Sequence, residues 1–316
     1  MKVISMKRLR DNEARLIDDF PDLDFQFKKG INEITDEEAA NVDILIGYDG
    51  KLDAEFLKKC PRLRWIAWYA TGVNNLPLDY IQRNNIKLTN AKGVHAKQMS
   101  EFILAFILDD YKKMKQSFIN QQKHIYDSKL TGRRVAGETA LFLGTGQIAQ
   151  KTARLLEVMG LKLIGVNTTG HKVQFFDETY SIEELDKALP KADIIVNSLP
   201  ETEQTYHLLE EKHFKLMKET CLFINVGRGT IVNETTLIEA LENGSIRHAT
   251  LDVFENEPLP DDHPFYDMEN VSLTAHITGN GLENYTEGTD IFEKNLNHFL
   301  NKGELIENEI DPMKGY

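Results

Sequence analysis

The chain has 316 residues, of which 41 % are hydrophobic and 28 % are charged. This length is more than one ordinary core needs and accommodates two domains, and the apolar fraction is enough for packed α/β layers rather than a disordered coil. Because 37 Lys and Arg face 50 Asp and Glu, the formal net charge is −13, which argues against nucleic acid or anionic membrane as a partner.

The first part of the chain alternates short β-type runs with helical stretches. Strands are predicted at residues 3–5, 43–47, 64–68 and 86–89, and helices between them at 11–18 and 53–59. This alternation is typical of βαβ units in a parallel sheet. A long amphipathic helix is predicted next, from about residue 96 to residue 116.

A second series of strands begins at residue 139 and is more apolar than the first. The predicted strands are 139–143, 162–166, 193–197, 222–226, 249–253 and 271–274. Several are nearly continuous apolar runs, as expected of strands buried on both faces. A last helix is predicted over about 285–301.

No segment of the sequence indicates export or membrane insertion. The first residues read as a strand rather than a signal peptide, and the longest apolar run, within 102–108, is far shorter than the roughly 20 residues that span a bilayer. The two cysteines, Cys60 and Cys221, form no CxxC pair, so reduced thiols and a cytoplasmic location are expected. No His/Cys cluster has metal-ligand spacing, and no metal is expected.

The strand at 139–143 runs directly into a glycine turn, Gly144-Thr145-Gly146-Gln147-Ile148-Ala149, followed by a helix predicted from 147 to 159. Gly144 allows the tight turn, and Gly146 lets the backbone approach a pyrophosphate without a Cβ in the way. The helix N-terminus supplies unpaired N–H groups and the positive end of its dipole. We therefore predict dinucleotide binding by residues 144–148, with an alanine at the position where a third glycine is usual.

The strand after this helix ends in a polar loop that bears on the choice of cofactor. Asn167 lies 23 residues after Gly144, where an acidic residue would hold the adenosine ribose. An asparagine does not repel a 2′-phosphate, and further donors follow it in Thr168, Thr169, His171 and Lys172. The cofactor is therefore NAD or NADP, with NADP slightly favoured; an ordinary polar loop that accepts NAD through Asn167 is the alternative.

Three segments of the last third place a charged or titratable residue just after an apolar strand. They carry Arg228, Glu257 and His276. In an open α/β sheet the carboxyl ends of the strands form the edge where ligands bind. Imidazole can give and take a proton near physiological pH, a carboxylate can stabilise its protonated form, and the planar guanidinium matches a substrate carboxylate. Reduction of a 2-oxo acid needs a proton donor for the carbonyl oxygen and a cation for the carboxylate, in addition to a hydride donor.

These segments read Asn-Val-Gly-Arg-Gly at 225–229, Asp-Val-Phe-Glu-Asn-Glu-Pro at 252–258 and Ala-His-Ile at 275–277. In this order and spacing the chain resembles the D-isomer-specific 2-hydroxyacid dehydrogenase family, which includes phosphoglycerate dehydrogenases and glyoxylate/hydroxypyruvate reductases. The resemblance implies that His276 is the general acid/base, Glu257 its carboxylate partner, and Arg228 the residue that orients the substrate. It also implies cofactor contacts at Leu199, Pro200, Thr205, Val226, Gly227 and Asp252, with Asp252 facing the nicotinamide carboxamide.

The fold is carried over from the same resemblance: two doubly wound parallel-sheet α/β domains, with a Rossmann cofactor domain inserted into a flavodoxin-like substrate domain. The substrate domain is expected at 1–95 plus 279–316, and the cofactor domain at 96–278. The long helix over about 96–116 is expected to support a homodimer interface.

The segment 68–74 resembles the family's substrate loop, in which backbone N–H groups hold a carboxylate. The predicted substrate-binding residues are Tyr69, Ala70, Thr71, Gly72 and Val73. Trp68 either packs in the core or contributes to an aromatic pocket wall that favours glyoxylate, hydroxypyruvate or a modest apolar 2-oxo acid. The alternatives are a phosphoglycerate dehydrogenase and, from another class, an NAD(H)-sensing binding protein on the same fold.

Overall fold

The computed structural model describes residues 1–73 and 75–313. The chain forms two compact units: unit 1 is Met1–His95 with Gly281–Tyr316, and unit 2 is Ala96–Asn280. In the described residues no helix is long and apolar enough to cross a membrane.

Strands and helices alternate through both units. In the described residues the strands are β1 (Lys2–Ser5), β2 (Asp24–Phe27), β3 (Ile44–Gly47), β4 (Trp65–Trp68), β5 (Lys87–Thr89), β6 (Thr139–Leu143), β7 (Lys162–Asn167), β8 (Glu178–Ser181), β9 (Ile194–Asn197), β10 (Leu222–Asn225), β11 (His248–Leu251) and β12 (Val271–Leu273). The helices are α1 (Asn12–Asp19), α2 (Asp36–Asn41), α3 (Ala54–Lys58), α4 (Leu78–Arg83), α5 (Val94–Lys112), α6 (Met114–Gln122), α7 (Gln147–Val158), α8 (Leu185–Ala188), α9 (Glu211–Leu216), α10 (Glu234–Glu242) and α11 (Asn284–Lys302).

Unit 1 is built on a five-stranded parallel sheet in the order β2-β1-β3-β4-β5. This is the flavodoxin-like order of a doubly wound sheet. Apolar side chains are buried on both of its faces: Ile4 and Leu45 belong to one cluster, whereas Val3 and Ile44 pack with Phe292 of α11 in the other. Adjacent strand residues point to opposite faces, so these strands need helices on both sides.

Unit 2 is built on a seven-stranded parallel sheet in the order β12-β11-β10-β9-β6-β7-β8. The order reverses between β6 and β9, which pair with each other, as in a Rossmann sheet with one added strand. Leu141 and Ile195 lie in the core of one face, and Phe142 and Val196 in the core of the other. The prediction of a parallel-sheet α/β fold with a Rossmann unit is confirmed.

The prediction of one continuous helix from 96 to 116 is wrong. Helix α5 ends at Lys112, and α6 begins at Met114 after Lys113 adopts a left-handed conformation with φ 58°. The carbonyl oxygen of Tyr111 near the end of α5 accepts a hydrogen bond from the N–H of Arg133 at 2.7 Å. This hydrogen bond occupies a carbonyl group at the C-terminal end of α5. Its two residues lie far apart in the sequence, so helical periodicity could not predict the contact.

The edge strands β2 and β8 have no counterpart among the predicted strands. Their sequences, Asp-Phe-Gln-Phe and Glu-Thr-Tyr-Ser, lack an apolar run, and their side chains are exposed or half-buried. Helix α2 was also not predicted, although Thr35 and Glu38 form a capping box that marks its start. Edge elements bury fewer side chains, so their hydrophobic pattern is weak.

His248, at the start of β11, makes the stability of the protein depend on pH. Burial lowers the pKa of its imidazole from 6.5 to about 4, against the opposing effect of the Asp110 carboxylate. Between these values the unfolded chain binds a proton that the folded chain does not. The free energy of unfolding should therefore fall as the pH is lowered from about 6.5 to about 4.

Between pH 7.5 and pH 4.5, we expect the free energy of unfolding of the parent to fall by about 2–3 kcal/mol more than that of His248→Gln. Denaturant unfolding at the two pH values measures this difference. His171→Gln, a change of the same kind at an exposed residue, is the control. Equal pH dependence in the parent and in His248→Gln would contradict the prediction.

Candidate active site

The glycine turn of unit 2 lies where the strand order reverses. Gly144 follows β6 with φ +93°, and a Cβ added there would lie 3.2 Å from Leu199 Cδ2. A side chain is therefore excluded both by the backbone conformation and by the neighbouring loop. At Gly146, by contrast, a Cβ would meet nothing within 4 Å, so this side of the turn is open.

Helix α7 starts at this opening with unpaired donors. Gly146 is its N-cap and offers no side-chain hydrogen bond, and the first turn carries no acidic residue. The turn is held in place by Gln150, whose side-chain amide donates to the Thr145 carbonyl at 2.8 Å. Because free N–H groups and the helix dipole attract anions, residues 144–148 fit the pyrophosphate of a dinucleotide.

The loop after β7 is organised by Asn167 itself. Its Oδ1 accepts hydrogen bonds from the N–H of Gly170 at 2.8 Å and of Thr169 at 3.2 Å, and its Nδ2 donates to the His171 carbonyl at 3.0 Å. Thr168, Thr169, His171 and Lys172 are all exposed on this loop. The amide of Asn167 therefore shapes the loop, and the exposed groups around it are the ones available to a ligand.

A buried pair of asparagines connects the ends of β9 and β10. Asn197 Nδ2 donates to Asn225 Oδ1 at 2.8 Å, and Asn225 Oδ1 also accepts from the N–H of Gly227 at 3.1 Å. A Cβ at Gly227 would lie 2.6 Å from the Leu199 carbonyl oxygen, so the two predicted cofactor segments touch through their backbones. Neither asparagine was predicted; the signal for each is a buried amide at the end of an apolar strand.

Thr205 and Val226, two further predicted cofactor residues, lie on the same two loops. Thr205 is buried, and its hydroxyl donates to the Pro200 carbonyl at 2.7 Å, which closes the loop that follows β9. Val226 is buried directly after β10. These residues shape the carboxyl edge of the sheet, and their contacts with a cofactor stay predictions.

Arg228 follows in an extended conformation before a short 3₁₀ turn, Gly229–Ile231. Its guanidinium donates to the Gly227 carbonyl at 2.7 Å, and its own carbonyl accepts from Asn225 Nδ2 at 3.0 Å. A Cβ at Gly229 would lie 1.9 Å from the carbonyl carbon of Phe254. The turn that carries Arg228 is thus pressed against the loop that leads to Glu257.

Glu257 and His276 form a hydrogen-bonded pair. His276 Nδ1 lies 2.7 Å from Glu257 Oε2, and the other oxygen of Glu257 accepts from the N–H of Phe254 at 3.0 Å. Since an ionised carboxylate only accepts, Nδ1 is the donor, and Nε2 is left to act on a ligand. The imidazole is about half exposed, and its backbone has φ 53°, which is uncommon for a residue other than glycine.

Asp252 fixes the loop that carries His276. Its side chain is 0 % exposed, and its two oxygens accept four hydrogen bonds: from the hydroxyls of Thr274 and Thr278 and from the N–H groups of Ile277 and Thr278. The backbone N–H of His276 donates to the Asp252 carbonyl at 2.8 Å. These contacts give Asp252 a positioning role, and its predicted contact with the nicotinamide carboxamide stays a prediction.

In unit 1, the carbonyl groups of the loop after β4 accept hydrogen bonds from side chains of the same unit. Trp68 Nε1 donates to the Gly72 carbonyl at 3.0 Å, and Asn90 Nδ2 donates to the Thr71 carbonyl at 2.8 Å. The N–H groups of residues 71–73 have no acceptor in the described part of the chain. Free N–H groups fit the predicted binding of a carboxylate, while Asn74, the last residue of the predicted loop, lies outside the described residues.

The two aromatic residues of this segment pack inside unit 1. Trp68 is 2 % exposed, which favours the alternative of a core residue over a pocket wall. The Tyr69 ring lies against Gly288 of α11, and its hydroxyl donates to Thr289 at 3.2 Å. Burial raises the pKa of the Tyr69 phenol, so this side chain stays neutral, and its contact with a substrate stays a prediction.

Among the described residues, no group of three or more His, Cys, Asp or Glu side chains has the arrangement of a metal site. Both cysteines are buried and unpaired, and burial raises the pKa of each thiol to about 12.

Comparisons with known proteins place the chain in a family. The model of the family described as D-isomer specific 2-hydroxyacid dehydrogenase, NAD binding domain, matches residues 104–278. A glyoxylate reductase of Thermofilum pendens is 31 % identical over 261 residues, which cover 81 % of this chain and 77 % of that protein.

Two solved structures resemble the chain over nearly its whole length. A D-isomer specific 2-hydroxyacid dehydrogenase family protein from Aeromonas salmonicida has a TM-score of 0.88 at 29 % identity, covering 98 % of this chain and 99 % of that one. A D-isomer specific 2-hydroxyacid dehydrogenase from Xanthobacter autotrophicus, in complex with NADPH and MES, has a TM-score of 0.81 at 26 % identity, covering 100 % and 99 %.

The Asp252→Asn variant tests the role of the buried carboxylate. An amide keeps one acceptor oxygen and replaces the other by an NH2 group, which then faces the N–H of Ile277 at the Oδ1 position or that of Thr278 at the Oδ2 position. We expect the free energy of unfolding to fall by about 1–3 kcal/mol and the amides of residues 276–278 to exchange faster. Asp267→Asn, the same change at an exposed residue, is the control. Unchanged stability and exchange in Asp252→Asn would contradict the role.

Proposed function

Because the chain belongs to the D-isomer specific 2-hydroxyacid dehydrogenase family, we propose that it reversibly reduces a small 2-oxo acid to its D-2-hydroxy acid. The protein is an oxidoreductase that acts on CH–OH groups with NAD or NADP. Glyoxylate or hydroxypyruvate is the proposed substrate, supported by the glyoxylate reductase to which the chain is similar. The observation that carries the proposal is the His276–Glu257 pair, which lies in the same unit as the uncapped end of α7.

The cofactor site is assigned to the glycine turn and its neighbours. The open side of Gly146 and the free N–H groups at the start of α7 would hold the pyrophosphate. When bound, the nicotinamide supplies or accepts the hydride. NADP is slightly favoured over NAD, since Asn167 is uncharged and exposed donors surround it at Thr169, His171 and Lys172.

The transfer of a proton to and from the substrate oxygen is assigned to His276. With Nδ1 bonded to Glu257, Nε2 gives a proton to the carbonyl oxygen during reduction and removes it from the hydroxyl during oxidation. The Glu257 carboxylate stabilises the imidazolium that exists on one side of this transfer and keeps the ring in one orientation. The left-handed backbone of His276 is held by its hydrogen bond to Asp252, and the ring is oriented by its bond to Glu257.

Each unit, taken by itself, offers donors that suit the anionic end of a substrate. Arg228 provides a planar fork that suits a carboxylate. In unit 1, the N–H groups of residues 71–73 are proposed to bind a carboxylate as well, which their lack of acceptors in the described chain supports. A net charge of −13 makes such local donors necessary, because the overall field repels an anion.

The assembly is proposed to be a homodimer that uses the α5–α6 region. Helix α6 and the loop that follows it expose large apolar side chains: Met114, Phe118, Ile125 and Tyr126. Several exposed apolar side chains within one short segment support a protein contact there. The cytoplasmic location stays a prediction from the sequence.

One kinetic panel tests the proposed function. Glyoxylate, hydroxypyruvate, a modest apolar 2-oxo acid and 3-phosphohydroxypyruvate are each offered with NADH and with NADPH, and nicotinamide absorbance is followed. Preference for 3-phosphohydroxypyruvate would replace the proposal by the phosphoglycerate dehydrogenase alternative. Cofactor binding without turnover of any acid would favour the NAD(H)-sensing alternative, and a strong preference for NADH would reject the choice of NADP.

His276→Ala should lower kcat by roughly 10² to 10⁴, because it removes the group that transfers the proton. The dissociation constant of the reduced cofactor, measured by fluorescence, should change little. His298→Ala is the matched control, since His298 also lies near a carboxylate, Glu304, at 3.6 Å. Near-normal turnover in His276→Ala would assign the proton transfer to another group.

Arg228→Lys should lower kcat/KM about 10- to 100-fold, which corresponds to ~1.5–3 kcal/mol for a hydrogen bond to a charged group. An ammonium keeps the charge but cannot reproduce the two-pronged geometry. Arg83→Lys, at an exposed position of α4, is the control. If the kinetic constants of Arg228→Lys equal those of the parent, the carboxylate is bound elsewhere.

A further inference from the structure

The loops that carry Arg228 and Glu257 are joined by a network that the proposed mechanism does not use. The Arg228 turn leaves β10, and the Glu257 loop leaves the neighbouring strand β11. Their backbones touch at Gly229, where a Cβ would lie 2.4 Å from the backbone nitrogen of Glu255. Such an approach fixes the spacing of the loops only if other bonds keep them together.

Glu255 and Glu234 supply such bonds. The N–H of Glu255 donates to Glu234 Oε1 at 2.8 Å, and the N–H of Glu234, the first residue of α10, donates to Glu255 Oε2 at 3.3 Å. Each glutamate thus binds the backbone of the other. The loop is clamped two residues before Glu257, whose own Oε1 accepts from Phe254.

His207 adds a third element to this clamp. Its Nε2 lies 2.6 Å from Glu255 Oε1, and its backbone N–H donates to the carbonyl of Thr230 at 2.7 Å. The ring therefore holds the loop of Glu257, while the backbone holds the turn of Arg228. Two residues further, the N–H of Leu209 donates to the Ile231 carbonyl at 3.0 Å and continues this attachment.

The surroundings of the clamp suit a fixed geometry. The side chains of Glu234 and Glu255 are 13 % and 20 % exposed, and His263 Nε2 lies 3.3 Å from the second oxygen of Glu234. Both carboxylates therefore have an imidazole partner in a partly buried place. His207 is held at φ 49°, a conformation that costs energy outside glycine and persists where surrounding contacts impose it.

We propose that His207 and Glu255 are positioning residues of the dehydrogenase site, which clamp the Arg228 turn to the Glu257 loop and so set the spacing of the guanidinium and the His276–Glu257 pair. The proposal rests on the proposed function for the roles of Arg228 and His276. Displacement of a reacting group by about 1 Å can cost roughly 10²-fold in rate. Loss of the clamp therefore lowers kcat by a larger factor than it weakens cofactor binding, since the glycine turn that is proposed to hold the pyrophosphate follows a different strand, β6.

The test compares His207→Ala with His207→Gln, whose amide carries an N–H donor of similar reach to Nε2. We expect kcat to fall about tenfold in His207→Ala and to stay within about threefold of the parent in His207→Gln. The dissociation constant of the reduced cofactor should change by a smaller factor than kcat in His207→Ala. His298→Ala removes a histidine that lies 3.6 Å from a carboxylate outside this network, and it should behave as the parent.

Glu255→Ala and the double variant with His207→Ala and Glu255→Ala show whether His207 and Glu255 act together. If they do, His207→Ala adds less than twofold to the loss of kcat caused by Glu255→Ala. The proposal would be overturned if the loss of kcat in the double variant equalled the product of the losses in the two single variants. It would also be overturned if His207→Ala had the kcat of the parent, or if His207→Gln were as slow as His207→Ala.

Hydrogen exchange of the amides of Phe254 and Glu255 gives a readout that does not depend on turnover. Both amides donate to glutamate side chains of this region, so their protection should fall in His207→Ala and be retained in His207→Gln. Unchanged protection in His207→Ala would overturn the clamp even if the parent is active. If the parent reduces no 2-oxo acid, the proposed function fails, and the exchange measurement still decides whether the clamp exists.

Discussion

The buried carboxylate of Asp252 is the constraint on which the arrangement of unit 2 depends. A fully buried charge is costly unless hydrogen bonds replace its water, and here two hydroxyls and two backbone N–H groups do so. All four donors belong to the segment 274–278, which brings His276 to the carboxyl edge of the sheet. The left-handed backbone of His276 is strained by about 1–3 kcal/mol, and the bonds to Asp252 hold it there.

Close contact between backbones is the second feature that determines the shape of the site. Gly227 meets the Leu199 carbonyl, and Gly229 meets Phe254, at distances that leave no space for a Cβ. Loops that leave neighbouring parallel strands can therefore pack directly on one another. The Asn197–Asn225 pair and the Glu234–Glu255 clamp satisfy the polar groups that this packing buries.

The acidic composition shapes how the protein can bind anions. A net charge of −13 repels an anionic ligand at long range, whereas hydrogen-bond donors act at contact. Unit 2 offers the free N–H groups at the start of α7 and the guanidinium of Arg228, and unit 1 offers the N–H groups of residues 71–73. In the proposed function, specific anion binding rests on these short-range donors rather than on a basic surface.

The sequence by itself determined the α/β class, the central strands of both sheets and the strand–glycine–helix segment at 139–158, because apolar runs and glycine spacing are local signals. Tertiary structure decided the break at Lys113, the burial of Trp68, the four bonds to Asp252 and the contacts of His207 with Glu255 and Thr230. Each of these depends on neighbours brought together by the fold. A sequence pattern reports which side chains prefer to be buried, but the identity of a distant partner is set only when the strands take their order in the sheet.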